Sequence, residues 1–100
     1  MKINRWTAEV TPTIAIIHNI YKTEGLESNE VDVISGAKLT RLRTSMTEII
    51  QIVQGELIFN LSGNQFALRA GDRIEIPANT VYSYNNLKSD NCCFLTAYRL

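Results

Sequence analysis

From Gly36 onward, reversal signals fall at short, regular intervals: Gly36, Gln54-Gly55, Ser62-Gly63-Asn64, Ala70-Gly71-Asp72 and Pro77-Ala78-Asn79-Thr80. Each residue type there has a local reason to turn a chain. Glycine tolerates positive φ, proline fixes φ, and Asn and Asp side chains bond their own backbone. The runs between these signals alternate apolar with polar residues, which is the period of a strand with one buried face. Leu57, Phe59 and Leu61 share a face, as do Phe66 and Leu68. Ile74 and Ile76 then face inward with Arg73 and Glu75 outward, and Tyr82 and Tyr84 follow on one face. Short strands at this spacing predict an all-β antiparallel sandwich or barrel.

The stretch Ser35 to Gly55 organises the rest. It reads as a glycine turn, a strand, a polar turn, a second strand and the Gln54-Gly55 reversal, with Val31 to Ile34 as the strand leading in. Alternation places Lys38, Thr40, Leu42 and Thr44 on one face of the first strand, and Glu48, Ile50 and Ile52 on one face of the second. If the strands pair, these faces look into one interior. Arg41 and Arg43 are then expected to point away, as a solvated or interface surface. The last strand, Cys92 to Arg99, is apolar on both faces: Cys92, Phe94 and Tyr98 on one, Cys93, Leu95 and Ala97 on the other. A strand buried on both sides needs cover outside the barrel, from a helix or a second subunit.

One segment reads as a helix, about residues 12–24, ahead of a barrel at about 31–99. Thr11 is placed to cap it, Pro12 suits the first helical position, and Gly25 suits a left-handed C-cap. Ile14, Ile16, Ile17, Ile20 and Tyr21 form its apolar side. His18, the only histidine, falls at the edge of the polar side, where a structural or solvated role is expected. Ile3 to Trp6 is expected to add a short strand that closes onto the barrel.

Composition excludes several functions. One hundred residues make one domain over 1–100, with 45% hydrophobic and 20% charged residues. Ten basic residues balance ten acidic ones, and no Lys/Arg cluster stands out, so neither nucleic acid nor an anionic membrane surface is an expected partner. No apolar run approaches the roughly 20 residues that span a bilayer. Met1 is followed by Lys2-Ile3-Asn4-Arg5-Trp6 with no signal-peptide core, so the expected location is the cytoplasm. Cys92 and Cys93 are adjacent; on a strand they face opposite ways, so a bond between them would need a strained turn. Two neighbouring thiols are also too few for a metal site.

The turn skeleton resembles the cupin superfamily. That family's first motif is a glycine, five residues, His-x-His, three or four residues, Glu, six residues, Gly. Gly36, Glu48 and Gly55 stand at the matching places, and Leu42 and Thr44 occupy the two histidine places. The second motif is a glycine, five residues, Pro-x-Gly, two residues, His, three residues, Asn. Gly71, Pro77 and Asn86 match, Asn79 replaces the glycine and Tyr82 the histidine. The resemblance implies a small antiparallel jelly-roll barrel with one N-terminal amphipathic helix, and a homodimer. Metal-dependent cupins hold their ion with three histidines and the glutamate; of that set only Glu48 survives, so no metal and no cofactor are expected.

With the family's geometry, Thr40, Thr44, Glu48, Tyr82 and Tyr84 would line one mouth, with Lys38 among them or near the rim. Hydrophobic walls with a few placed polar groups suit a small-molecule ligand. The expected function is therefore a metal-free small-ligand-binding or dimeric interaction module. The alternative is a metal-independent acid–base isomerase or lyase on a small polar substrate, with Glu48 as base and Tyr82 as acid. A carboxyl buried without a cation is shifted toward neutrality, which suits that role. A plainer account makes Glu48 an interior carboxylate tied to Thr44, Tyr82 or Lys38.

Overall fold

The computed structural model describes residues 1–100 as nine strands and one helix. These are β1 (Lys2–Asn4), α1 (Ile14–Thr23), β2 (Asn29–Val33), β3 (Lys38–Leu42), β4 (Thr47–Gln54), β5 (Glu56–Leu61), β6 (Asn64–Arg69), β7 (Arg73–Ile76), β8 (Tyr82–Asn85) and β9 (Cys92–Arg99). They form two antiparallel sheets, in the orders β1-β7-β4-β9-β2 and β3-β8-β5-β6. The jelly-roll expectation holds. No helix is long and apolar enough to cross a membrane.

The interior follows the predicted alternation. Ile50 and Ile52 of β4 join Leu57, Phe59 and Leu61 of β5, Ile74 and Ile76 of β7, and Tyr82 and Tyr84 of β8 in one buried cluster between the sheets. The opposite face of β4 carries Ile49 and Val53, which pack with Leu95 and Ala97 of β9 under Ile17 and Tyr21 of α1. The cover that β9 demands is thus supplied by the helix. Full burial of a side chain such as Ile17 contributes about 1.5–3 kcal/mol.

The helix starts later than the sequence suggested. Thr13, not Thr11, is the N-cap; its hydroxyl accepts from the Ile16 N–H, and Pro12 lies outside the helix. Ile14 is consequently solvent-facing at 42% exposure. The C-terminus ends as predicted. The Gly25 N–H donates to Lys22 O and the Leu26 N–H to Tyr21 O, with Gly25 at φ +76°. Glu24 at this end receives both Arg73 Nη groups, at 2.8 and 2.7 Å, and the Arg73 guanidinium lies 4.9 Å from the Tyr21 ring centroid. Arg73 points outward as expected, but under the helix, where it is buried.

Two family landmarks have visible work. Asn86 is fully buried; its amide donates to Val33 O and Asp90 O, and its Oδ1 accepts from the Lys88 N–H. One side chain thereby ties the Ser35–Gly36 turn to the 86–91 loop. Gly71 lies beneath the Trp6 ring, which the N-terminal segment brings there because Asp72 accepts from the Trp6 N–H and from Arg5.

The register shifts in two ladders, β4–β9 between Ile52 and Gln54 and, near the mouth, β3–β8. The β3–β8 register shifts between Leu39 and Leu42, and Arg41 adopts φ +56°. This bulge leaves Lys38 and Thr40, before it, on the outer side, while Leu42 beyond it keeps its inward place.

A Cβ on Gly71 would fall 2.2 Å from Trp6 Cγ at a backbone φ of +90°. Gly71→Ala is expected to cost about 2–4 kcal/mol, read by chemical denaturation. Acid should unfold the protein in a defined window. Hydrogen bonds from Arg73 hold the Glu24 carboxyl below the usual carboxylate range. At Asp72, burial pushes the carboxyl up, but hydrogen bonds from the Arg69 and Trp6 N–H groups and from Arg5 outweigh it and hold it low. Groups with depressed folded-state pKa values stabilise the fold above their unfolded pKa, about 4, and lose that contribution as pH falls through the folded value. The melting temperature should therefore be flat above about pH 5 and fall below about pH 4. Asp72→Asn should melt lower at neutral pH yet lose less on acidification.

Candidate functional site

The polar cluster sits at one mouth of the barrel. Glu48 enters from the start of β4, opposite Ile76 on one side and Tyr98 on the other, and is 5% exposed. Tyr82 comes from β8 in the facing sheet. Its hydroxyl donates to Glu48 Oε1, so one hydrogen bond joins the two sheets through the interior. The Thr96 hydroxyl, from β9 beside Glu48, donates to Oε2 at 2.9 Å. Both carboxylate oxygens therefore accept from neutral hydroxyls. The sequence left open whether Thr44, Tyr82 or Lys38 ties Glu48; it is Tyr82, joined by Thr96.

A cavity of about 200 Å³ opens beside this carboxylate. Val31, Leu42, Tyr84 and Phe94 form its apolar wall, and Arg43, Thr44, Thr96 and Tyr98 add polar atoms. Of the predicted site residues, Thr44, Glu48, Tyr82 and Tyr84 meet there. Thr40 does not: it is exposed and off the cavity, because the bulge at Arg41 interrupts the alternation that placed it inward. Lys38 is likewise exposed and apart. Arg43, which the sequence had facing away, also lines the exposed edge of the cavity, between Leu42 and Thr44. Thr96 and Tyr98 were missed although their signal was present, since Phe94, Thr96 and Tyr98 alternate on one face of β9.

Electrostatics make these phenols hydrogen-bonding groups at neutral pH. Burial, with the hydrogen bond to Glu48 second, raises the Tyr82 pKa well above the ordinary phenol value. Burial and then the Glu48 carboxylate raise Tyr84 and Tyr98 as well. The thiols are not nucleophiles: burial pushes Cys92 up to about 12 and Cys93 to about 11. Cys93 does lie beside Glu30 and Asp32, with three ligand atoms within 4.8 Å, but on the surface and as a protonated thiol. His18 accompanies Ser28 at 2.9 Å on the exposed side of α1, far in sequence and element from the mouth.

The donor set does not fit the ion of a metal-dependent cupin. Leu42 offers no ligand atom, and the Thr44 hydroxyl donates to Met46 O at 2.6 Å. Tyr82 and Thr96 spend their protons on Glu48, the one anionic group among them. Borderline divalent metals favour several imidazole, thiolate or carboxylate ligands.

A two-sheet antiparallel jelly roll with its polar residues gathered at one mouth defines a small-barrel class of protein. Residues 29–98 match the Cupin domain family, and the chain belongs to it. Solved structures agree at the level of fold. A predicted oxalate decarboxylase from Thermotoga maritima is 18% identical with a TM-score of 0.67, over 98% of this chain and 78% of that one. The cupin domain of Schizosaccharomyces pombe Cnp3 is 15% identical with a TM-score of 0.67, over 73% of this chain and 51% of that one. An RmlC-like cupin from Shewanella frigidimarina is 18% identical with a TM-score of 0.64, over 73% and 64%. The chain thus spans about half the Cnp3 structure and under two thirds of the Shewanella one. No curated protein matches the sequence.

Tyr82→Phe should destabilise the protein by about 2 kcal/mol, because it leaves a buried carboxylate oxygen without its donor. Denaturant midpoints of the two proteins check this. Elemental analysis of protein purified without chelators should find no stoichiometric iron, manganese, nickel or zinc.

Proposed function

We propose that this cupin binds a small polar organic molecule in its barrel mouth without a metal ion. The observation that carries the reading is Glu48: a buried carboxylate, held by Tyr82 and Thr96, lining a cavity of about 200 Å³ with apolar walls. Apolar walls with a few oriented polar groups are the usual make-up of a ligand site. The volume lies below the roughly 300–1,000 Å³ of sites for drug-sized ligands, so the ligand is compact.

A metal-independent isomerase or lyase using Glu48 and Tyr82 is the weaker reading. A general acid works best with a pKa near the ambient pH, and the burial of Tyr82 and its bond to Glu48 move the phenol away from that. Oxalate decarboxylation, from the description of the Thermotoga protein, finds no support in the residues around Glu48. Pairing of two copies belongs to the same proposal. The exposed apolar Ile34 and Leu87 lie on two loops tied by the Ser35 hydroxyl to Lys88 O, and they offer a surface for it. Sedimentation equilibrium giving only the monomer mass would overturn the pairing.

A thermal-shift screen of small metabolites tests the binding reading. At least one compound should raise the wild-type melting temperature in a concentration-dependent way. The shift should shrink in Tyr82→Phe, whose Glu48 is no longer held in place. Absence of any stabilising compound sinks the proposal.

A further inference from the structure

The donors and acceptors around the cavity are sorted by position. A carboxylate has room for about four acceptor contacts, and two of those on Glu48 are filled by Tyr82 and Thr96. Having donated their protons, those two hydroxyls offer lone pairs, as does Thr44, whose proton goes to Met46 O. The inner end is therefore rich in acceptors. Arg43, at the exposed edge of the same cavity, is the opposite. A guanidinium only donates, and the ion pairs of the protein join other residues: Arg5–Asp72, Arg69–Glu56, Arg73–Glu24, Lys88–Glu56 and Arg99–Glu75. Arg43 is exposed, lines the edge of the cavity and has no ion-pair partner in the chain, so its fork of donors is open to a ligand there.

From this we infer that the ligand is a small carboxylic acid that also carries a hydroxyl or ammonium group. Arg43 takes the carboxylate at the mouth, and Glu48 takes the hydroxyl or ammonium inside. Leu42 and Phe94 provide the apolar wall along which the carbon skeleton lies. About 200 Å³ corresponds to roughly six or seven water volumes, enough for a skeleton of a few carbons. The inference rests on the binding reading above and specifies its ligand class.

Calorimetric titration tests it with lactate, 3-hydroxybutyrate, serine and β-alanine, each against its uncharged amide, and with propionate as the acid lacking a second polar group. At least one hydroxy or amino acid should bind. Its amide, and propionate, should bind at least about tenfold more weakly, the size of one lost charge-assisted hydrogen bond. Arg43→Gln, an exposed substitution that breaks no ion pair, should weaken binding by a similar factor. Arg41→Gln, exposed on β3 and off the cavity, should leave it unchanged. Equal binding of acid and amide, or unchanged affinity in Arg43→Gln, overturns the ligand class while binding itself stands. Failure of all these probes alongside stabilisation by an uncharged metabolite in the thermal-shift screen also overturns the class. Failure of every compound in both experiments removes the binding reading with it.

Discussion

Strand β4 has to satisfy two cores at once, and the rest of the molecule is arranged around that demand. Ile50 and Ile52 fill the space between the sheets, while Ile49 and Val53 face the helix. A slip of one residue would exchange the two sets. The register is therefore fixed from both sides, by β7 and β9 as neighbours and by α1 as cover. Gln51, on the helix-facing side, shows how fully this is specified. It is buried, donates to Gly71 O at 2.9 Å and accepts from Arg73 Nε at 3.1 Å, so a polar group among apolar ones keeps all its partners.

Glu48 occupies the first inward position of that same strand. Because β4 cannot shift, the carboxylate cannot leave the mouth, and the facing sheet must answer it. It does so through Tyr82 on β8. A hydrogen bond to a charged group in a low-dielectric interior is stronger than one in water, and an unmet charge there is costly. The two hydroxyl donors make the carboxylate tolerable without cancelling its charge, as a metal ion would. The site is left with a fixed negative group inside and an unanswered guanidinium at its edge.

Much of this was legible in the residues, and the exceptions have physical causes. The strands, their inward faces, the helix and its C-terminal cap follow from turn chemistry and periodicity. Glu48, Tyr82 and Tyr84 could be brought together because each lies on a strand that alternates regularly up to the mouth, and Thr44 joins them from the turn after β3. Thr40 and Lys38 were assigned to the wrong side because a bulge at Arg41 separates them from that regularity. A bulge built on Arg in the left-handed region, with no glycine, leaves no mark in the sequence. The cap was misplaced by two residues because Thr11 and Thr13 flank Pro12, and either hydroxyl is chemically able to do the work. Thr96 went unread for a different reason: a single hydroxyl in a run of apolar residues looks like tolerated filler until its partner is known.

The division between kept and exchanged landmarks also has a physical basis. Gly55, Gly71 and Asn86 are held by the backbone itself. A Cβ at Gly55 would stand 2.9 Å from Cys92 Cα, and Asn86 anchors two loops with one amide. These constraints act whether or not an ion is bound. Asn79 makes the point where the residue has changed. It replaces the family's glycine yet keeps φ +62°, a conformation asparagine tolerates, and its N–H still reaches Thr44 O at 2.7 Å. The histidine places have no such backing, since only an ion asks for imidazole there. At those places Leu42 is cavity wall, the Thr44 hydroxyl closes its own turn on Met46 O and Tyr82 donates to Glu48, on a barrel whose turns are kept.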